Sequence, residues 1–470
     1  MKRVKRLLLL AALVSGCTVG PDYVRPTLEV PTAYKESKDW KPAEPRDAAA
    51  GGPWWAAFAD PELDSLMGHL DVSNQTIAAA EAQVRVAAAL ADQSRAQWWP
   101  TVDATASSTV SQPSTATGPV IGTSSGRHTI DNLGVSASWE ADLWGRIRRL
   151  VESGDAATQA SAGDLANARL SVQATLAVDF YQVRALDTQS QLLASTVAEY
   201  ERNVTLTRNR YAVGVASRGD VAQAETQLHN TRAQLIDLGI QRAQLEHAIA
   251  VLLGRPAATY SVPPGELTAT LPPIPATGLP ADLLERRPDV AAAERRVAAA
   301  NAQIGVARAA YFPVATLGAQ AGYQAWTTSL WFTQAASYWA VGPALALTLF
   351  DGGRRSAVSA QASAEYDQAV AAYRGTVLQA FAEVEDNLAA LRILQAEAAA
   401  QDEAVRAAQL SVDISLNQYK AGTIAYQQVV VVQAVFLQAR TAALTIRMRR
   451  IAGTVQLVKA LGGDWTPASE

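Results

Sequence analysis

Residues 79–100, AAEAQVRVAAALADQSRAQWWP, return 213 positions later at residues 292–313 as AAERRVAAANAQIGVARAAYFP. Further matches follow at a separation of 208, so the first copy has a loop longer by five residues. The matched pairs are Glu81 with Glu294, Val84 with Val297, Gly145-Arg146 with Gly353-Arg354, and Tyr211-x-x-Gly214 with Tyr419-x-x-Gly422. A chain duplicated in this way is typical of symmetric structures such as barrels and pores.

The amino terminus has the pattern of a targeting segment. Four basic residues precede a short apolar core at residues 7–14, which is too short to span a bilayer of about 30 Å. The sequence VSGC at residues 14–17 resembles the bacterial lipobox, in which cleavage leaves the cysteine to carry lipid. We predict a lipoprotein signal peptide over residues 1–16 and acylation of Cys17. An ordinary signal peptide with a chance cysteine is the alternative.

Composition argues against nucleic-acid binding and against a transmembrane helix. Removing the four basic residues of the signal segment from the 40 in the chain leaves 36 Lys and Arg against 44 Asp and Glu. There is no basic block, so we expect no binding to nucleic acid. No later segment offers 18 continuous apolar residues, which argues against a transmembrane helix. Any membrane span is therefore expected to be β-structure.

Prolines divide the chain into domains. None lies between Pro119 and Pro256 or between Pro343 and Pro467, and proline would break a helix. Gly145 to Tyr211 spans 66 residues, which corresponds to a helix of about 100 Å at 1.5 Å per residue. The predicted segments are an acylated extended arm (17–65), a first repeat (66–255), a Pro-rich linker (256–288), a second repeat (289–465) and a tail (466–470).

Both repeats carry the same seven-residue pattern, which is typical of paired, coiled helices. In the first repeat it runs through Val183, Ser190, Val197, Val204 and Tyr211, and in the second through Leu391, Ala398, Val405, Val412 and Tyr419. A filamentous or scaffold coiled coil would show the same pattern, so the helices alone do not decide the class.

Alternating residues before each long helix predict β-strands. Apolar and polar residues alternate at 132–139, 315–323 and 344–349. Aromatic residues near the strand ends are typical of the interfacial girdles of outer-membrane barrels: Trp98, Trp99, Trp139, Tyr311, Phe312 and Trp339. A soluble β-layer is the alternative. Two hairpins give four strands, whereas a membrane barrel needs about eight or more, so the predicted pore must be an oligomer.

The chain resembles the TolC-like outer membrane factors, specifically the NodT-like lipoprotein branch of efflux channels. The motifs that carry the resemblance are CTVGPDY at 17–23, RRPDV at 286–290, LFDGGR at 349–354, the paired Tyr-x-x-Gly turns, and LGGDW at 461–465. They occur in the family's order and cover nearly all of the mature chain.

The resemblance implies a mainly α fold with membrane β-structure: a homotrimer whose twelve-stranded outer-membrane β-barrel continues into a long periplasmic α-helical barrel. It implies an outer membrane channel of a tripartite efflux system, embedded in outer membrane lipid. That channel would dock a periplasmic adaptor and, through it, an inner-membrane pump of the RND type, and would export drugs and other small toxic molecules. The alternative is the channel of a type I protein secretion system.

The resemblance also implies a gate at the two helical turns, Tyr211–Asp220 and Tyr419–Gln428. Gly214 and Gly422 suit positions where a helix must stop in a positive-φ conformation. In the family the second-repeat tyrosine bonds to the first-repeat aspartate, which corresponds here to Tyr419 and Asp220. Asp220 could equally serve only as a helix cap.

Two features of the second turn depart from the family pattern. Ile424 stands where an arginine helps to lock the gate, and Gln428 and Val431 stand where some relatives carry constricting aspartates. The polar lock is therefore expected to be weaker, or the constriction to be made of apolar residues.

An enzyme is the competing class. The four histidines, His69, His128, His229 and His247, include no pair at metal-ligand spacing, and no glycine-rich phosphate loop follows a strand. We therefore expect no catalytic residues, no metal and no cofactor.

Overall fold

The computed structural model describes residues 18–28, 30–36, 53–112, 127–268 and 286–463. Cys17 and the predicted signal peptide lie outside the described residues, as do part of the arm, part of the linker and the tail. The elements are, in chain order, α1 (Pro61–Ser73), α2 (Gln75–Ala96), β1 (Thr101–Ser111), β2 (His128–Ala141), α3 (Arg146–Ala212), α4 (Arg218–Leu252), α5 (Pro288–Ala309), β3 (Val314–Ala325), β4 (Ser337–Ala346), α6 (Arg354–Ala421) and α7 (Tyr426–Ala460).

The chain divides into two compact units. The first contains the arm up to Thr27 together with Gln83–Ser161 and Ala292–Tyr373. The second contains Leu28–Ala82, Ala162–Ala291 and the chain from Arg374 onward. The helices α2, α3, α5 and α6 contribute residues to both units.

The first unit contains one antiparallel sheet in the order β1-β2-β3-β4. Its two hairpins join through β2 and β3, so β1 and β4 are the free edges of the sheet. Residues directly opposite each other share a face. One face is apolar and contains Leu133, Val135, Trp139, Leu317, Val341 and Trp339, whereas the other contains Asn132, Ser136, Gln320 and Gln324.

The predicted strands are confirmed with two corrections. The alternation at 344–349 predicted too late a strand, since β4 begins at Ser337 and ends at Ala346, and its residues 337–343 were not predicted. The partner β1 was not located, because Ser, Thr and Ala dominate TVDATASSTVS and leave only two valines to show a period. Strand β1 is held by its register with β2, from Thr101 opposite Ser138 to Ser111 opposite His128.

The long helices are confirmed at nearly the predicted length. The helices α3 and α6 have 67 and 68 residues, and α4 and α7 have 35 each. An aspartate shortly before α3 and another shortly before α6 accept backbone amides at the helix start: Asp142 from Ile147 and Arg148, and Asp351 from Gly353 and Arg355. These caps satisfy amides that have no partner within the helix, and they explain the aspartate before each Gly-Arg match.

The core of the second unit packs the small helix α1 against α3. Fully buried members include Leu63, Met67, Leu70, Phe180 and Tyr181. The heptad positions Val183, Val197 and Val204 are buried as predicted, but Tyr211, which continues the same series, is exposed. The heptad therefore describes α3 until the turn, where the packing of the helix changes.

Helix α7 is apolar over a long stretch although it contains no continuous apolar run of 18 residues. Helix α7 contains an 18-residue window of mean hydropathy 1.7, so by length and composition it could cross a membrane, and 22% of that window is buried. The earlier criterion demanded a continuous apolar run, whereas α7 mixes valines and leucines with glutamines. It packs through Ile451 and Val455 into the core of the second unit.

The amino-terminal arm docks on buried polar side chains of α3 in the first repeat and α5 in the second. Asn301, 4% exposed, donates to the carbonyl of Pro21 at 3.0 Å. Arg149, 4% exposed, donates to Asp22 at 2.9 Å, and the Tyr23 hydroxyl donates to the buried carboxylate of Glu294. The residues of the CTVGPDY motif from Pro21 onward thus supply hydrogen-bond partners to buried polar side chains of α3 and α5.

Candidate functional site

The first helical turn joins α3 to α4 and contains a glycine that ends the helix. Gly214 has φ 76°, a conformation that costs little only for glycine. Its amide donates to Tyr211 at 2.9 Å, and the next amide, of Val215, donates to Arg210 at 2.9 Å. This pair of bonds closes α3 as a Schellman motif.

The second turn, between α6 and α7, has the same construction. Gly422 has φ 80° and its amide donates to Tyr419 at 3.0 Å. The amide of Thr423 donates to Gln418 at 3.0 Å. The duplicated Tyr-x-x-Gly motif therefore encodes one local structure twice, as the sequence predicted.

Asp220 acts as a helix cap within the protomer. The Ser217 hydroxyl accepts the Asp220 amide at 3.1 Å, and the Asp220 carboxylate accepts the Ser217 amide at 2.9 Å. This reciprocal capping box satisfies the exposed amides at the start of α4. In the second turn Ala425 takes the equivalent place and makes no side-chain cap.

The two equivalent tyrosines differ in environment. Tyr419 is 4% exposed, whereas Tyr211 is 49% exposed. The Tyr419 hydroxyl lies 3.5 Å from the buried hydroxyl of Thr207, and its ring packs against Tyr426 with centroids 5.2 Å apart. Both contacts hold Tyr419 between the first-repeat helix α3 and its own hairpin.

Arg210 joins the two turns. Its guanidinium carbon lies 4.7 Å from the centroid of the Tyr419 ring, and its Nη1 donates to the carbonyl of Lys420 at 3.3 Å. Within the described residues its Nε is buried without a hydrogen-bond partner. Arg210 therefore links the end of α3 to the end of α6.

The structure does not bring Tyr419 and Asp220 together through a hydrogen bond among the described residues. Tyr419 faces Thr207 and Arg210, while Asp220 is occupied by Ser217. Sequence reasoning missed Arg210 and Thr207. The available signal was their position on α3, one residue and one turn before Tyr211.

An apolar cluster packs all four long helices together near the turns. It contains Val197, Tyr200, Val204, Ala224, Leu228, Tyr419, Tyr426 and Val429. Burial raises the pKa of Tyr200 and of Tyr426, because a tyrosinate is poorly solvated there. Gln428 is exposed and Val431 is 51% exposed, so neither belongs to this core.

The predicted interface aromatics lie at the two ends of the sheet. Trp98, Trp99, Trp139, Tyr311 and Phe312 lie at the end that continues into the helices, and all are at least partly exposed. The indole of Trp139 donates to the carbonyl of Trp98 at 2.8 Å. Trp339 lies toward the hairpin-loop end, is 78% exposed, and is accompanied there by Trp326 and Phe332, which sequence reasoning missed.

Among the described residues, no group of three or more His, Cys, Asp or Glu side chains is placed to hold a metal ion.

Comparison with known proteins assigns the chain to a family. The family model described as "Outer membrane efflux protein" matches residues 66–255 and 279–463. The toluene efflux pump outer membrane protein TtgC of Pseudomonas putida is 33% identical over 99% of this chain and 96% of its own. The pyoverdine export outer membrane protein OpmQ of Pseudomonas aeruginosa is 32% identical over 98% and 97%.

Solved structures agree with this assignment. The outer-membrane channel OprN superposes with a TM-score of 0.88 at 30% identity, over 95% of this chain and 99% of OprN. VceC of Vibrio cholerae superposes with a TM-score of 0.81 at 28% identity, over 88% and 99%.

The chain belongs to the outer membrane efflux protein family. It is an outer-membrane component of an efflux system and extends into the periplasm. The predicted fold class is confirmed: each subunit of a trimer supplies four strands to an outer-membrane β-barrel and long helices to a periplasmic helical barrel. The secretion alternative is not favoured, and the family consists of transporters rather than enzymes.

Proposed function

We propose that this chain is the exit duct of a tripartite pump and that its helical turns close the duct at the periplasmic end. In this proposal an inner-membrane pump of the RND type passes small organic molecules into the duct. A periplasmic adaptor connects the pump to the helical turns. The relatives named for toluene and pyoverdine export support small molecules as the substrate class. The pump sets which molecule is exported.

The contact between Arg210 and Tyr419 carries the proposal of a gate. A cation over an aromatic ring contributes about 0.5–2 kcal/mol, and the trimer repeats the contact in each subunit. The buried Tyr419 hydroxyl and the bond from Arg210 to the Lys420 carbonyl add to it. Their combined strength is small enough for adaptor docking to reverse and large enough to keep a closed state populated.

The exposed part of the turns is the proposed adaptor contact. Tyr211, Gly214 and Gln428 are exposed, and none of these residues belongs to the apolar cluster near the turns. Gly422 lies next to Arg210, so a partner that presses on the second turn would act directly on the link.

Acylation of Cys17 completes the proposed arrangement. The lipid would hold the arm at the outer membrane. Mature protein carrying several acyl chains on Cys17 would be stably anchored, since a single chain gives only marginal binding. The aromatic residues at the two ends of the sheet are the proposed contacts with the membrane interfaces.

Single-channel conductance in planar bilayers tests the gate. Arg210→Gln removes the cation from the Tyr419 ring and should raise the conductance of the resting trimer without lowering its yield. The matched control is Arg208→Gln, which removes an exposed arginine that pairs with Glu225 across the same hairpin. It should conduct like the parent.

A double variant separates this link from the one expected from the family. Tyr419→Phe with Asp220→Ala keeps the ring under Arg210 but removes both the hydroxyl and the carboxylate. It should conduct nearly as the parent does if Arg210 holds the turns closed. Parent-like conductance from Arg210→Gln, together with a rise in the double variant, would instead assign closure to the hydroxyl and carboxylate.

A further inference from the structure

A row of four residues crosses the polar face of the sheet near its loop end. Thr105 lies opposite Gly134, Gly134 opposite Gly322, and Gly322 opposite Tyr338. The row shares its face with Asn132 and Gln320. In an outer-membrane barrel the apolar face meets lipid and the polar face meets the lumen, so this row faces the lumen.

Tyr338 lies along the wall rather than standing out from it. A Cβ built on Gly134, two strands away, would lie 2.5 Å from the Tyr338 Oη, and one built on Gly322 would lie 3.0 Å from it. The hydroxyl donates to Asn132 Oδ1 at 3.1 Å. Neighbouring strands are about 4.8 Å apart, so the side chain crosses Gly322 and ends over Gly134.

The two glycines are the reason the ring can lie there. Side chains at both positions would occupy the space that the ring fills, and Gly134 is buried although it faces the lumen. The obstacles differ, however. A methyl group on Gly134 meets only the far end of the tyrosine side chain, whereas one on Gly322 would also lie 2.3 Å from the carbonyl oxygen of Leu133. Only the change at Gly134 can be accommodated by moving the ring.

We propose that Gly134 and Gly322 form a recess in the lumen wall that holds Tyr338 flat, and that this placement sets the open width of the lumen near its outer mouth. The trimer repeats the recess in each subunit. A ring displaced from it would point into the lumen and narrow the path for large solutes. This role is separate from the proposed gate, because it concerns the sheet and not the helical turns.

Thiol labelling from outside the cell tests the proposal without depending on the gate. Ser138→Cys places a reporter on the exposed lumen face of β2, four residue pairs further from the hairpin loops than Gly134. Intact cells carrying the full-length protein are treated with a small membrane-impermeant maleimide or with the largest polyethylene-glycol maleimide that still labels the parent. The only native cysteine is Cys17. Cells carrying the protein without the Ser138→Cys reporter therefore measure the background labelling of Cys17.

Gly134→Ala should abolish labelling by the large reagent and preserve labelling by the small one. Tyr338→Ala added to Gly134→Ala should restore labelling by the large reagent. Tyr338→Phe alone should leave the ratio of large-reagent to small-reagent labelling unchanged, because the ring remains. Gly342→Ala is the matched control, since a methyl there meets nothing within 4 Å.

The proposal is overturned if Gly134→Ala labels like the parent with both reagents, or if Gly342→Ala shows the same loss. Should Gly134→Ala fail to reach the outer membrane, Tyr338→Ala alone decides: the proposal requires it to admit a larger maleimide than the parent admits. An unchanged size limit would overturn it.

Discussion

At the scale of single residues, Arg210 before the first turn makes contacts that its uncharged counterpart in the second repeat cannot make. Arg210 stacks on the ring of Tyr419 and bonds to the carbonyl of Lys420, so one side chain contacts both the side chain and the backbone at the end of α6. The matching position in the second repeat is Gln418, which carries no charge. The duplication is thus broken where the two turns meet.

Asp179 supplies a prediction at this scale. Its side chain is half-buried on α3, with no hydrogen bond or ion pair among the described residues, and burial raises the pKa of Asp179 to about 6. The folded chain therefore holds this proton more tightly than the unfolded chain does. Its contribution to stability falls as pH rises from 3.8 to about 6.

Asp179→Asn should consequently raise the Tm of the detergent-solubilised trimer at about pH 7 and change it little at about pH 4. The control is Asp237→Asn, at an exposed position of α4, which should move the Tm little at either pH. A lower Tm for Asp179→Asn at neutral pH would mean that the carboxylate is paired with a cation of a neighbouring subunit.

Residue roles at the turns were only partly predictable. The spacing located both tyrosines and both glycines, and the sequence alone allowed Asp220 to be a cap, which the capping box with Ser217 bears out. It could not separate Tyr419 from Tyr211, because their local motifs are the same. Their exposures differ through the packing of one hairpin on the other, which local spacing does not encode.

At the scale of elements, the helices were predictable and the strands less so. Proline-free runs, heptads and glycine turns are strong local signals, and they gave α3 and α6 almost to their ends. Strand β1 has little local signal, and its register comes from hydrogen bonds to β2. The arm was foreseen only as an extended spacer, because the partners of its motif lie far away in sequence, on α3 and α5.

The hydrogen bond from Tyr23 of the arm to Glu294 is expected to stabilise the trimer. Tyr23→Phe removes the donor to Glu294, whose side chain is largely buried, and leaves that carboxylate with one partner fewer. The loss should cost about 1–3 kcal/mol and lower the Tm of the trimer. Tyr211→Phe, at an exposed turn position, should not. Equal Tm values for the two variants would show that the arm lies on the surface without stabilising the trimer.

At the scale of the whole molecule, the single chain is incomplete. The outer strands β1 and β4 leave backbone groups unpaired, and hydrocarbon offers them no hydrogen-bond partner. Much of the apolar surface of α7 is also uncovered in one protomer. Both deficits are removed if neighbouring subunits pair β4 with β1 and cover α7, which gives the hydropathy of that helix a cause other than membrane crossing.

Native mass spectrometry of the full-length protein, expressed as a lipoprotein and extracted from outer membranes in mild detergent, tests this account most directly. The predicted result is one species of three chains, each beginning at an acylated Cys17. A monodisperse monomer that keeps its full β-structure by circular dichroism would contradict the account, because its sheet edges would then be stable without neighbours.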